Sequence, residues 1–117
     1  MNNLFSNEKK QMYMFIMTPK ELFTNPDYKS LSCEAKTLYG LFLSRMSLSK
    51  KNNWFDKNKQ VYIYYPIQEI QSELGFSKQK SINLVKELED FNLVKIKRQG
   101  QGKSNKFYLV DFGSFIS

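Results

Sequence analysis

The stretch PIQEIQSELGFSKQKSINLVKELEDFNLVKIKRQGQGKSNKFYL (Pro66–Leu109) decides the fold. Pro66 suits the first turn of a helix, where its fixed φ and missing N–H cost nothing. Ile67, Ile70 and Leu74 recur at spacings of three and four and give that helix one apolar face. Gly75 ends it, because glycine accepts the left-handed conformation needed just past a helix. After the turn Gly75-Phe76-Ser77, the Ser77 hydroxyl is placed to cap a second helix by accepting from its free N–H groups. Ile82, Val85 and Leu88, joined by Leu84 and Phe91, are expected to face inward from this second helix. Leu93–Lys97 and Phe107–Val110 then alternate well enough to pair as strands. Two helices across a tight turn, followed by a hairpin, are the outline of a winged helix-turn-helix, an α+β fold.

The residues left outside that core carry the chemistry. At the start of the second helix they are Ser77, Lys78, Gln79, Lys80, Ser81 and Asn83, with Lys86 a turn later. A recognition helix reads bases chiefly from its N-terminal residues. Asn and Gln can pair with adenine by two hydrogen bonds, and Lys can reach guanine or a phosphate. The hairpin connection adds Arg98, Gln99, Lys103, Ser104, Asn105 and Lys106 around Gly100 and Gly102. Small residues allow close approach to a sugar-phosphate backbone, while basic and amide groups contact its oxygens. Residues 77–106 hold eight basic and three acidic residues, a net +5 of the chain's +7. The expectation is a helix over 77–91 in the major groove of double-stranded DNA and a wing over 98–106 on the backbone or minor groove.

Upstream, residues 1–11 are polar and expected to fray. Met12–Met17 is an apolar run of strand length, stopped by Thr18-Pro19. Pro19–Phe23 reads as one helical turn and Asn25-Pro26-Asp27 as a turn. Ser32 starts a long helix by capping it, with Glu34 at its positive end. Ala35, Leu38, Tyr39, Phe42, Leu43 and Met46 form its buried face, widened by Leu31 and Leu41, and it fades near Ser47–Ser49. Trp54-Phe55 and Val61–Tyr65 flank Asp56–Gln60 as a β-hairpin with a five-residue connection. Val61, Ile63 and Tyr65 lie on one face of that strand and Tyr62 and Tyr64 on the other, and Met12–Met17 is two-sided in the same way. A small domain has one core, so the second face needs another cover, either the long helix or a second copy of the chain. A homodimer is therefore expected, setting two recognition helices at a fixed separation.

Composition narrows the function. At 117 residues the chain is long enough for one core, and its 18 basic against 11 acidic residues suit a polyanionic partner. The absence of histidine excludes His-based nucleophile pairs, proton shuttles and the usual zinc sites. Gly100 and Gly102 precede a strand rather than a helix and so lack the helix N-terminus that cradles phosphate. The pairs Glu69/Glu73 and Glu87/Glu89 read as solvated helix faces. No catalytic residues, metal or cofactor are expected, and the protein is not expected to be an enzyme. No apolar run is long enough to span a membrane and no signal peptide is evident, so no membrane association is expected. One cysteine, Cys33, agrees with a reducing, cytoplasmic setting.

Several motifs also fall in a familiar order. Leu22-Phe23, Tyr28-Lys-Ser-Leu-Ser32, Ala35-Lys-Thr-Leu-Tyr39-Gly-Leu, Arg45-Met-Ser-Leu-Ser49, Asn52-Asn-Trp54-Phe-Asp56 and Val61-Tyr-Ile-Tyr64 are followed by Leu88-Glu-Asp-Phe-Asn-Leu93 and Arg98-Gln-Gly100-Gln-Gly102-Lys-Ser-Asn105. Together they resemble the N-terminal DNA-binding domain of plasmid replication initiators of the RepA N-terminal type, from Gram-positive plasmids. The resemblance implies a winged helix that binds repeats within a plasmid replication origin. It also implies that residues 1–117 are the DNA-binding part of a longer protein, whose missing C-terminal domain would contact host replication proteins. A winged-helix transcription regulator is the alternative, because it would use the same contacts at promoter sites.

Overall fold

The computed structural model describes residues 16–49 and 52–111. The expected fraying of residues 1–11 lies outside them, as does most of the expected strand over Met12–Met17. Ile16 and Met17 are described, exposed and part of no regular element.

The longest element is α2 (Cys33–Ser49). Ser32 caps it as its sequence suggests, its Oγ accepting from the Ala35 N–H at 3.1 Å. Ahead of α2 lie the single turn α1 (Glu21–Thr24) and a 3-10 turn over Pro26–Tyr28. Leu22 and Leu31 from this region are buried against α2. The middle of α2 is buried almost all round, including Lys36, whose ammonium lies 4.7 Å from the Phe23 ring centroid. Sequence periodicity gives α2 one inner face. The structure places it between the sheet, α4 and the chain at residues 16–18.

Gly40 marks where that chain crosses. A Cβ built there would stand 2.6 Å from Ile16 Cγ2 and press on Thr18 Oγ1 as well. Alanine is the better helix former by about 1 kcal/mol, yet overpacking of this kind costs about 1–3 kcal/mol. Gly40→Ala is therefore expected to lower the denaturation midpoint despite its helix propensity, as chemical unfolding would show.

Trp54–Tyr62 turns the chain back in an abbreviated hairpin. Phe55 and Val61 form an isolated antiparallel bridge, and Tyr62 N–H donates to the Trp54 carbonyl at 3.2 Å. The strand that follows, β1 (Ile63–Tyr64), pairs instead with β3 (Lys106–Leu109). With β2 (Val94–Lys97) this makes a three-stranded antiparallel sheet in the order β1-β3-β2. Alternation sorts its faces. Ile63, Val94 and Phe107 point into the core, while Tyr64, Lys95, Lys97, Lys106 and Tyr108 occupy the outer face.

Between β1 and β2 lie α3 (Ile67–Leu74) and α4 (Lys78–Asp90). Gly75 joins them at φ 73°, the left-handed value expected of it. Ser77 caps α4 by accepting from the Lys80 N–H at 3.1 Å. Helix α4 packs on both α2 and α3. The expected winged helix-turn-helix is present, with the chain upstream wrapped around α2.

Arg45 of α2 ties this unit to the core. Its guanidinium donates to the Tyr64 carbonyl at 3.0 Å, pairs with Glu69 of α3 and lies 4.2 Å from the Tyr65 ring centroid. The Tyr65 hydroxyl donates to Glu73. Glu69 and Glu73 are thus partnered groups that fix α3, not the solvated pair expected. Burial and the adjacent Glu73 raise the Tyr65 phenol above its usual range, and burial pushes Tyr39 up to about 12. Both shifts favour the neutral phenol in the folded chain. Their contribution is complete below pH ~10, where unfolded tyrosine is still neutral, and is lost as pH rises through the folded values. Stability measured by urea midpoint is expected to fall above pH ~10, and less steeply in Tyr65→Phe.

Candidate nucleic-acid interface

Helix α4 presents one stripe inward and another to a groove. Ser81, Leu84, Val85 and Leu88 are buried. This phase corrects the sequence reading at two adjacent positions. Ser81, placed among the outward residues, is fully buried, and its hydroxyl donates to the Ser77 carbonyl at 2.9 Å. Ile82, placed inward, is 38% exposed. Aligning the stripe on Leu84, Val85 and Leu88 turns the Ile82 side chain about 100° away from Ser81, the rotation per residue of a helix of 3.6 residues per turn.

The groove has a volume of ≈ 730 Å³. Lys78, Ile82, Val85, Lys86 and the acidic Glu89 form its helix side. Arg98, Gly102, Lys103, Ser104 and Asn105 form the opposite side, and Ile67, Ile96 and Phe107 lie between. Ser77, Gln79 and Asn83 are exposed on the same end of α4. The Gln79 Nε2 donates to the Asn83 Oδ1 at 2.9 Å, so the two amides hold each other one turn apart. No acidic residue occupies the first turn of α4, where two lysines stand instead. Cations there oppose the helix macrodipole, so the sequence gives up local helix stability and gains positive potential.

The wing is the connection 98–105 between β2 and β3. Gly100 and Gly102 have φ of 93° and 79°, which β-carbon-bearing residues adopt at a cost. Gln99 Nε2 donates to the Ser104 carbonyl at 2.7 Å and closes the base of the loop. This amide therefore shapes the wing instead of lying free at its tip. Arg98 borders the groove and forms a loose pair with Glu89 of α4 at 3.6 Å.

Of the expected site residues, Ser77, Gln79, Lys80, Ser81, Asn83, Gln99 and Lys106 do not line the groove, and two of these turn to other parts of the fold. Lys80 points toward α2, with its Nζ 3.3 Å from Glu34 Oε2 and 4.2 Å from the Phe76 ring centroid. A backbone N–H, and after it the Lys80 ammonium, hold the Glu34 carboxyl below its usual range. Lys106 is the first residue of β3, and its Nζ lies 4.4 Å from the Tyr62 ring centroid on the sheet's outer face. Sequence spacing marks both as exposed cations and is silent on the direction each takes.

One residue that positions the interface is absent from the expected set. Glu87 of α4 accepts from the Ser32 N–H at 2.7 Å and from its hydroxyl at 2.9 Å. Helix α4 thus holds the N-terminus of α2, across 55 positions of sequence. Hydrogen bonds to a charged acceptor contribute about 1.5–3 kcal/mol each when buried. Because this pair is part-buried, Glu87→Ala is expected to cost about 1–2 kcal/mol in urea unfolding.

These elements define the chain as a winged helix with a cation-lined groove between helix and wing. Residues 14–116 match the family described as the N-terminus of replication initiator protein A, and the chain belongs to that family. A "41 kDa protein" of Lactobacillus helveticus is 34% identical over 93 residues, which are 80% of this chain but 26% of that protein. The chain thus spans about a quarter of the length of that curated relative. Among solved structures, the N-terminal domain of a DNA-binding protein superposes with a TM-score of 0.75 at 32% identity, covering 94% of this chain and 84% of that one. A Rep–DNA complex superposes with a TM-score of 0.76 at 31% identity, covering 92% and 83%. An MDR initiator gives 0.73 at 35% identity, covering 92% and 85%. Family membership favours the initiator over the transcription-regulator reading.

Proposed function

We propose that this domain grips double-stranded DNA at repeats in a plasmid replication origin, as the DNA-reading part of an initiator. The observation that carries the reading is the groove itself, with Lys78 and Lys86 on the helix side and Arg98 and Lys103 on the wing side. In this reading the N-terminal half of α4 enters the major groove. Ser77, Lys78, Gln79, Asn83 and Lys86 meet base edges or phosphates there, and Arg98, Lys103, Ser104 and Asn105 follow the backbone. Lys80 and Lys106 contribute to the field from behind, Ser81 stiffens the first turn, and Gln99 shapes the wing. A binding role needs no catalytic group or cofactor. The family match and the fold shared with a Rep–DNA complex support the same reading.

The domain would act in the cytoplasm, since plasmid DNA is there, and among the described residues no helix is long and apolar enough to cross a membrane. Contact with host replication proteins is proposed for the initiator as a whole, since this chain spans only 26% of the length of its curated relative. Pairing of two copies is supported by the sheet's outer face, where Trp54, Tyr62, Tyr64 and Tyr108 form a half-exposed cluster with ring centroids 5.4–6.0 Å apart. Sedimentation at micromolar concentration is expected to show a dimer, and a monomer there would remove that part of the reading. Footprinting on the origin of the parent replicon tests the whole. Protection of spaced repeats is the expected result, and no protection at low salt would reject it.

A further inference from the structure

We propose that Ile82 selects a thymine within the recognised site by packing on its 5-methyl group. The inference rests on the duplex-binding reading above and adds to it one position and one base.

Ile82 is the exposed large aliphatic residue of α4, and it lines the groove between helix and wing. It stands one turn after Lys78 and one turn before Lys86, in the middle of a cationic row. Gln79 and Asn83 lie beside it, locked together by their 2.9 Å hydrogen bond. Those neighbours make the strip unsuited to a dry apolar partner, because covering Ile82 would also desolvate two lysines and two amides. A polyanionic duplex satisfies them all at once. Phosphates meet the lysines at the rim, and base edges meet the residues between.

Isoleucine can neither donate nor accept a hydrogen bond. Along the major-groove edges of the four base pairs, the apolar feature is the thymine C5-methyl. Facing any other edge, Ile82 would strip water from a donor or acceptor and return nothing. Facing thymine, it buries a methyl group against its own branched side chain. Attraction and exclusion therefore select the same base. The β-branched side chain is stiff at χ1 in a helix, which fixes where that methyl must lie relative to α4.

The test uses the 117-residue chain and a randomised duplex pool. Wild-type protein is taken through rounds of selection, and each thymine of the enriched site is then replaced in turn by deoxyuridine, which lacks only the methyl. Replacement at one position is expected to weaken wild-type binding roughly 3- to 10-fold, the effect of one buried methyl. Ile82→Ala is expected to bind the thymine duplex more weakly by a similar factor and to be indifferent to uracil at that position. The inference is overturned if no uracil position affects the wild type, or if Ile82→Ala keeps the full thymine preference. The uracil series on the wild type stands without the variant. Failure to bind any duplex would instead reject the duplex-binding reading itself, and this inference with it.

Discussion

Phe42→Ala is expected to remove about 3–5 kcal/mol of folding stability, the largest single loss in the molecule, as truncation of a buried aromatic does. Phe42 is fully buried at the centre of α2. Its ring lies 5.2 Å from that of Tyr65, tilted by 52°, and 5.2 Å from that of Phe107, nearly stacked at 29°. Three parts of the chain meet there: the long helix, the β1–α3 junction and the middle strand of the sheet. Small domains have a total stability of about 5–15 kcal/mol, so one truncation of this size removes about a fifth or more. A midpoint decrease of roughly 12–20 °C is expected for a domain of this length. Thermal unfolding followed by circular dichroism measures it. A decrease below about 5 °C would mean that the cavity closes and that the three parts are not held through this ring. Leu88→Ala empties the other side of the core, between α4 and α2, and is expected to cost about 2–5 kcal/mol.

The helix ends and the wing were legible because each depends on residues close in sequence. Ser32 and Ser77 cap the helices they precede, and Gly75 takes the left-handed conformation that its position demands. Gly100 and Gly102 turn the wing. What sequence spacing missed depends on contacts distant along the chain. Glu87 reads as a solvated carboxylate until α2 arrives 55 positions away and presents the Ser32 N–H. Lys80 reads as a base-contacting cation until Glu34 and Phe76 draw its ammonium toward α2. The exchange of Ser81 and Ile82 has a different cause. Apolar residues at 82, 85, 88 and 91 satisfy a three-residue spacing, which drifts around a helix of 3.6 residues per turn. A stripe through 81, 84, 85 and 88 follows the helix better, and a serine joins it because its hydroxyl is satisfied by the Ser77 carbonyl. Composition alone favours isoleucine for the core, and that preference misleads where a surface reads an apolar feature.

Replacing Lys78, Lys86 and Lys103 together by alanine is expected to flatten the salt dependence of DNA binding more than any other triple change. Each phosphate contact removed lowers the log–log slope by about 0.9, so three lower it by about 2.7. Between about 50 and 200 mM salt, wild-type affinity would then fall roughly 40-fold further than that of the variant. These three lysines border the groove and are exposed, so their loss leaves the core intact. Random and cognate duplexes are expected to suffer alike, because phosphates carry no sequence. Asn83→Ala should behave in the opposite way. It should leave the salt slope unchanged and cost about 1–3 kcal/mol on the cognate duplex alone, if its amide reads a base. Lys80→Ala separates the geometry from simple charge counting. With its ammonium held between Glu34 and Phe76, it should change the slope far less than Lys78→Ala, two positions earlier on α4. Binding measured by fluorescence anisotropy across a salt series gives all three results in one experiment. Equal slopes for Lys78→Ala and Lys80→Ala would show that the groove does not set which lysines reach the backbone. Equal losses on random and cognate DNA for Asn83→Ala would remove α4 as the element that reads sequence.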